Sequence, residues 1–352
     1  MGCTLLREPV QSGPLVGIAR LAAQSPLVRE RAEVEFYRLP ARSALNRESS
    51  GRMPFAWTLN PYRGCEFGCH YCYARYTHEF MEMWDSQDFE RKIYAKTDLP
   101  ELLRAELRQG RDKGLPIALG TATDPYQPAE RQFEITRRML EVFAEFRGID
   151  LSITTKSVLI LRDLDLLQAL AARHRFSVHM TITTLDERLA RLLEPKAPPP
   201  AQRLEAVRQL AASGIRVGIN AMPILPGLND APAMLDTLAS RAADAGAGFL
   251  YGNVLFLSPS AMKQFMPFLE REFPRLVKNY RKLYARSAYL RGEYPEKIGK
   301  LMAQLRSRHG LEGNRGELPA AARHPQMALP FGSPPGGPEN HLALTSCNSG
   351  GQ

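Results

Sequence analysis

The sequence predicts an α/β protein: a parallel sheet of six strand–helix units, followed by a basic helical extension. Three observations predict this. Short runs rich in Ile, Val, Leu and Thr alternate with stretches of helical period, the pattern of βα units and a parallel sheet. Six such units fit between Thr58 and Phe256. Beyond Ser258 the pattern becomes helical, and from Glu312 onward Gly, Pro, Ser and Asn dominate.

Residues 1–45 form an N-terminal extension that is expected to be partly ordered. Met1 to Arg31 lacks sustained periodicity and should be loosely held, whereas Val34 to Leu39 alternates like a short strand. Ser49-Ser50-Gly51-Arg52 reads as a turn into the core, residues 46–258. The first core strand runs from Thr58 to Tyr62. Its helix, Leu99 to Gln109, has Asp98 as N-cap, Glu101 as the partner in a capping box and Gly110 as a stop. The second strand is Ile117 to Gly120, and its helix, Ala129 to Phe146, puts Ile135, Met139, Val142 and Phe146 on one face.

The third strand is Leu151 to Thr155, followed by a helix carrying Leu164, Leu167 and Leu170. The fourth is Phe176 to Thr183. Prolines between Pro195 and Pro200 break the chain before a helix from Ala201 to Ala212, with Gly214 as its left-handed cap. The fifth strand is Ile215 to Met222, with a helix over Ala231 to Ala243, and the sixth is Phe249 to Phe256. In the extension, residues 259–311, helices are expected over Met262 to Arg286 and Pro295 to Arg308, their aromatics serving mainly as packing. Residues 312–352 read as a disordered tail.

A chain of 352 residues can bury one barrel-sized core and still carry an extension. No apolar run approaches the ~20 residues of a bilayer span, and Met1 to Pro9 has no signal-peptide apolar region. These features predict no membrane association, and few, clustered thiols predict a reducing, cytoplasmic setting. The net charge of +9 is concentrated: Pro259 to Leu311 holds twelve Lys or Arg against four Glu. Such a surplus argues for an anionic partner, nucleic acid foremost, against the alternative of a merely solvated helix surface.

The chemistry is carried by Arg63-Gly64-Cys65-Glu66-Phe67-Gly68-Cys69-His70-Tyr71-Cys72-Tyr73, which holds three of five cysteines spaced C-x3-C-x2-C. Three thiolates on one loop can ligate three irons of a cubane cluster that normally takes four cysteines, leaving one iron open. The alternative is a structural zinc site completed by His70 or His78, although zinc knuckles favour paired C-x2-C units. Cys3 and Cys347 lie at opposite ends of the chain.

This triad, with Tyr71 as the aromatic before its last cysteine, resembles the signature of the radical S-adenosylmethionine (radical SAM) superfamily. Asn60-Pro61-Tyr62-Arg63-Gly64-Cys65 and Thr123-Asp124 resemble its spore photoproduct lyase-like group, often labelled DNA repair photolyases. The resemblance runs from about Thr58 to Phe256. It implies a partial (β/α)6 TIM-type barrel with reactive loops at the strand C-termini. It also implies a [4Fe–4S] cluster on Cys65, Cys69 and Cys72, and reductive cleavage of S-adenosyl-L-methionine to a 5′-deoxyadenosyl radical. An electron donor such as a flavodoxin or ferredoxin would then be a partner.

By the same resemblance, Thr123 and Asp124 match the pair that contacts the methionyl end of the cofactor. A hydroxyl and a carboxylate can both accept from an ammonium group, though Asp-Pro also makes an ordinary turn. Lys156 would place an ammonium over the barrel mouth, facing the methionine carboxylate. Thr181, with Thr183 beside it, lies where the family places a ribose contact, and Ala221-Met222-Pro223-Ile224 resembles the segment that packs the adenine. Tyr71 joins the cofactor-binding set, and Tyr71 and Tyr73 are candidate radical relays. Glu194 and Arg203 recur in the subgroup pattern, with no chemical role assigned.

Thr121 occupies the place where spore photoproduct lyases carry a hydrogen-donating cysteine, and a hydroxyl O–H is too strong to replace it. The leading expectation is therefore a radical SAM enzyme acting on a nucleic acid or nucleotide, but not by the lyase's own reaction. One alternative keeps the radical chemistry with a protein, peptide or small-metabolite substrate. Another, of a different class, is a zinc-stabilised nucleic-acid-binding protein.

Overall fold

The computed structural model describes residues 14–49, 51 and 53–313. The expected loose segment before Pro14, Ser50 and Arg52 of the turn, Cys3, Cys347 and nearly all of the tail lie outside the described residues.

Eleven strands are found among the described residues: β1 (Leu27–Arg31), β2 (Val34–Arg38), β3 (Asn46–Arg47), β4 (Trp57–Leu59), β5 (Tyr62–Arg63), β6 (Lys92–Ala95), β7 (Ile117–Leu119), β8 (Asp150–Thr155), β9 (Arg175–Thr181), β10 (Val217–Ile224) and β11 (Leu250–Val254). The larger sheet has the order β11-β10-β9-β8-β7-β4-β3. Its six strands from β4 to β11 are parallel, and β3 is antiparallel at one edge. Each strand lies beside its predecessor without reversal, the order of a barrel, while β3 and β11 remain as separate edges. The fold is an α/β partial barrel, and all six strand C-termini fall on one rim.

Local chemistry explains these elements. β8 alternates buried and half-buried residues along Asp150–Thr155, and the helix Ile135–Ala144 buries Ile135, Met139, Leu140, Val142 and Phe143. Gly214, at φ +77°, ends the helix Pro200–Ala212 as expected. The extension packs as helices Pro259–Glu272, Val277–Leu283 and Glu293–Arg308, with Phe265, Phe268, Leu269, Tyr280 and Tyr284 buried. Pro274 explains why the first two are not one helix.

Several expectations are corrected. The first strand is two pieces in two different sheets: Asn60-Pro61 turns the chain out of β4, and Tyr62–Arg63 pairs antiparallel with β6. The smaller sheet, order β1-β2-β6-β5, takes in Leu27–Arg31, against the expectation of a loosely held segment through Arg31. Asp98 makes no cap bond to its helix, because its carboxylate accepts the Ala41 N–H at 3.0 and 3.2 Å. The helix expected over Ala129 to Phe146 breaks at Glu134, φ +50°. There the Glu130 carboxylate accepts the N–H groups of Thr136 and Arg137 at 3.0 and 3.1 Å and so starts the second helix.

Candidate active site

The cysteine loop leaves β5 and is fixed by backbone contacts on three sides. Cys65 N–H donates to the Phe89 carbonyl at 2.9 Å, His70 N–H to Leu193 at 3.1 Å, and Lys196 N–H to Phe67 at 3.3 Å. Gly64 stands at φ +82°, where a Cβ would come within 2.8 Å of the Phe89 and Lys92 carbonyls, so only glycine fits the loop entrance. Within the loop Glu66 pairs with Arg31 of β1, and Arg75 donates to the Cys69 carbonyl at 3.1 Å while pairing with Glu90 at 2.6 Å. The three cysteines are free thiols. Burial pushes all three upward, Cys69 to about 12, so these thiols are neutral until a metal displaces their protons.

Thr123 and Asp124 follow β7 and face the loop. The Thr123 hydroxyl donates to the Gly64 carbonyl at 2.6 Å. Gln127, which sequence reasoning misses, donates to the same carbonyl at 3.1 Å and accepts the Glu66 N–H at 3.0 Å. The Asp124 carboxylate accepts from the Thr155 hydroxyl at 2.6 Å, the Tyr126 N–H at 2.9 Å and the Lys156 N–H at 2.7 Å. Low-dielectric surroundings raise its pKa, which those hydrogen bonds oppose. In this chain the pair therefore ties the cysteine loop and the end of β8 to the end of β7.

On the other flank lies a buried polar network. The Tyr71 hydroxyl donates to Glu194 Oε1, which also accepts from the Thr183 hydroxyl at 3.2 Å. Glu194 Oε2 pairs with Arg203 at 2.6 Å, and Arg203 donates to the Thr181 carbonyl at 3.1 Å and the Pro198 carbonyl at 2.7 Å. Burial alone would raise the Glu194 pKa, but Arg203 and Lys156 hold it below the usual carboxylate range. Lys156 Nζ lies 5.7 Å from the centre of the Tyr71 ring. Burial alone would lower its pKa, but the facing negative charge, that of the Glu194 carboxylate in the metal-free site, opposes this and its pKa is raised.

Tyr73 points away from this network and donates to the Thr121 carbonyl. Asn60 holds the Thr121 hydroxyl at 3.0 Å and the Ala122 N–H at 2.8 Å. Ala221 is buried on β10 opposite Gly252 of β11, one residue beyond the Thr181–Asn220 pair. The structure thus gathers Cys65, Cys69, Cys72, Tyr71, Thr123, Asp124, Lys156 and Thr181 on the C-terminal rim, with Tyr73 and Ala221 at its two sides. Sequence reasoning omits Gln127 and gives Asn60 and Glu66, though both stand in the quoted motifs, no role of their own.

Three soft thiols on one loop are the donor set of an iron–sulfur cluster. A mononuclear zinc site would bring its sulfurs to about 4 Å of one another, and no group of three His, Cys, Asp or Glu among the described residues is placed to hold a single ion. Of the two histidines available to a zinc knuckle, His70 stacks on Phe268 and contacts Gln264, and His78 uses one ring nitrogen on the Lys92 carbonyl. A cubane, which takes each thiolate on a different iron, fits this loop.

A parallel partial barrel with such a loop and a cationic, hydrogen-bonding rim defines an enzyme built around an iron–sulfur cofactor. The radical SAM superfamily model matches residues 59–238. The chain belongs to this superfamily, whose enzymes use a [4Fe–4S] cluster and S-adenosylmethionine. It is 35% identical to an uncharacterized Mycobacterium tuberculosis protein, covering 88% of this chain and 92% of that one. An uncharacterized Methanocaldococcus jannaschii protein is 29% identical, covering 69% of this chain and 85% of its own. In fold it is similar to spore photoproduct lyase complexed with dinucleoside spore photoproduct: TM-score 0.57, 16% identity, 78% of this chain and 79% of that chain. No helix among the described residues is long and apolar enough to cross a membrane.

Proposed function

We propose that this radical SAM enzyme takes a hydrogen atom from a nucleic acid or nucleotide. The observation that carries the substrate class is the placement of the basic extension. Helix Pro259–Glu272 packs against the turn Tyr73–Arg75, directly after the last cysteine, so extension and cysteine loop share one face. Gln264 reaches His70 at 3.2 Å, and Ser260 and Lys263 reach Glu79 at 2.6 and 2.8 Å. Beyond that helix Arg275, Lys278, Lys282 and Arg286 are exposed and form no ion pair among the described residues. Phe80 and Trp84 are 60% and 46% exposed beside the same helix. Exposed cations with exposed aromatic faces are the elements of a single-strand nucleic acid surface.

Cys65, Cys69 and Cys72 would hold the cluster, with Tyr71, Thr123, Asp124, Lys156, Thr181 and Ala221 around the cofactor and Tyr71 and Tyr73 as relays. When bound, cluster and S-adenosylmethionine supply a primary carbon radical that abstracts hydrogen. The protein's part is to orient the target and exclude water. Lys156 supplies a half-buried positive charge for a carboxylate, and the Tyr71–Glu194–Arg203 network holds the loop under it. Thr121 stands where a hydrogen-donating thiol would be needed for the lyase reaction, so Tyr73, which donates to its carbonyl, is the nearer candidate for handling a product radical.

The test is binding of single-stranded and duplex oligonucleotides to the reconstituted protein at several salt concentrations. A steep fall of affinity with salt, flattened in a Lys278→Glu/Lys282→Glu variant, is expected, because each phosphate contact releases counterions. Absence of binding at low salt, or a slope unchanged in that variant, would turn the reading toward a peptide or small metabolite.

A further inference from the structure

Arg63 and Lys96 are two cations near enough to depress one another's charged forms. Antiparallel pairing of β5 and β6 sets Arg63 opposite Tyr94, and the Lys96 N–H donates to the Pro61 carbonyl at 3.0 Å. Alternation along both strands therefore puts Arg63 and Lys96 on one face, diagonal to each other. Neither forms an ion pair among the described residues. The Asp98 carboxylate, whose charge reaches Lys96 through space, accepts the Ala41 N–H and makes no direct bond to either cation. Among the described residues Arg63 donates only to the Thr77 carbonyl, at 3.3 Å, and its buried Nε has no partner there. Lys96 Nζ donates to the Asn60 carbonyl at 2.8 Å.

A half-buried guanidinium and ammonium side by side repel each other, and burial weakens their hydration. Such a pair is incomplete without an anion. Lys96 feels this directly: burial, with Arg63 beside it, lowers it to about 7. Its place in the fold says where the anion belongs. Asn60, whose carbonyl Lys96 holds, also holds Thr121, and Thr121 accepts from Tyr73. Arg63, Lys96, Tyr73, Tyr76 and Thr121 are all partly exposed, so this wall is open at the ends of β4 and β7. Lys156 is held at the other end of the site, against Tyr71 and Asp124.

We propose that Arg63 and Lys96 form a phosphate-binding pair that sets the phosphodiester of a nucleotide substrate beside Tyr73 and Thr121. This rests on the nucleotide reading above and adds the subsite that would fix which sugar or base meets the radical. Arg63 supplies a planar fork with a spare N–H, and Lys96 a compact charge that only has to turn from the Asn60 carbonyl.

The experiment uses the full chain with its cluster reconstituted and three probes: inorganic phosphate, the dinucleoside monophosphate TpT, and its neutral methylphosphonate analogue. Calorimetric affinities should favour TpT over the analogue by about tenfold or more, the scale of a charge-assisted hydrogen bond. Lys96→Gln should abolish that preference, and Lys96→Arg should retain most of it. In the unmodified protein, phosphate and TpT should each slow acetylation of Lys96, read by mass spectrometry, whether or not the variants fold. Acetylation of Lys96 untouched by either phosphate or TpT would overturn the pair, even if longer oligonucleotides bind elsewhere. Protection by inorganic phosphate with no binding of TpT would uphold the anion pair and overturn the nucleotide reading.

Discussion

Tyr71 and Glu194 lie 123 positions apart in the chain and meet in a buried hydrogen bond, with the second carboxylate oxygen of Glu194 paired to Arg203 at 2.6 Å. Through this contact the cysteine loop is fastened to the segment that follows β9. Both charged side chains are about 1% exposed, so removing one partner strands the other. Glu194→Leu and Arg203→Met are each expected to cost about 3–5 kcal/mol of stability, the scale for an uncompensated buried charge. Replacing both charges together, as Glu194→Leu/Arg203→Met, should cost less than the two single changes summed. Urea unfolding of the four proteins measures this; full additivity would mean that the pair is not coupled.

Each of Cys65→Ala, Cys69→Ala and Cys72→Ala should fold, because an alanine fills most of the thiol's place, yet lose the cluster. The expected outcome is iron content and visible absorbance at background, with 5′-deoxyadenosine formation from S-adenosylmethionine abolished. A variant that retained full iron and full cleavage would remove its cysteine from the ligand set.

Asp124→Asn keeps the shape of the side chain but turns one oxygen into an N–H donor. That group would face either the Lys156 N–H or the Thr155 and Tyr126 donors, leaving at least one buried donor unsatisfied at about 1–3 kcal/mol. The end of β8 should then shift, so weaker binding of S-adenosylmethionine is expected along with lower stability. Equilibrium dialysis of the cofactor at a temperature where the variant is folded separates the two effects. Unchanged affinity there would confine Asp124 to bracing the fold.

His78 is about 1% exposed, donates to the Lys92 carbonyl and has no partner among the described residues for its second ring nitrogen. Burial, with Arg63, Arg75 and Lys92 nearby, lowers its pKa to about 4. The unfolded chain protonates it near 6.5. Its contribution is therefore complete above about pH 6.5 and is lost progressively as pH falls toward 4, by up to about 3 kcal/mol. Comparing wild type with His78→Gln in urea at pH 7.5 and pH 5 isolates this term. The variant should lose less stability on acidification than the wild type; equal losses would show that His78 does not titrate in this range.

The larger sheet is readable from the sequence because β7 to β11 are short Ile, Val and Leu runs separated by helical periods. Their ends are readable too, since polar residues such as Thr123, Asp124 and Lys156 follow apolar strands immediately. The smaller sheet is not. Ile93-Tyr94-Ala95 of β6 is buried on both faces and carries no alternation, and β5 is only two residues. What the site residues do for one another is equally hidden. That Thr123 grips the Gly64 carbonyl, or that Glu194 joins Tyr71 to Arg203, depends on contacts between segments 59 and 123 positions apart. A local pattern does not encode such meetings.

Gly64→Ala tests how closely the loop entrance controls the cluster. At φ +82° an L-residue is strained by about 1–2 kcal/mol, and the added Cβ would meet two backbone carbonyls at 2.8 Å. Those carbonyls belong to Phe89, which also accepts the Cys65 N–H, and to Lys92, which holds His78. They cannot retreat without loosening the first ligand, and the chain before Cys65 must move instead. That movement breaks the bonds from Thr123 and Gln127 to the Gly64 carbonyl, so Cys65 loses its register while Cys69 and Cys72 keep theirs. The variant is therefore expected to take up iron incompletely and to lose cluster faster on dilution or chelation, with far-UV circular dichroism near that of wild type. Iron retention over time in a chelator measures this, and retention equal to wild type would show that the loop entrance is more yielding than its geometry indicates.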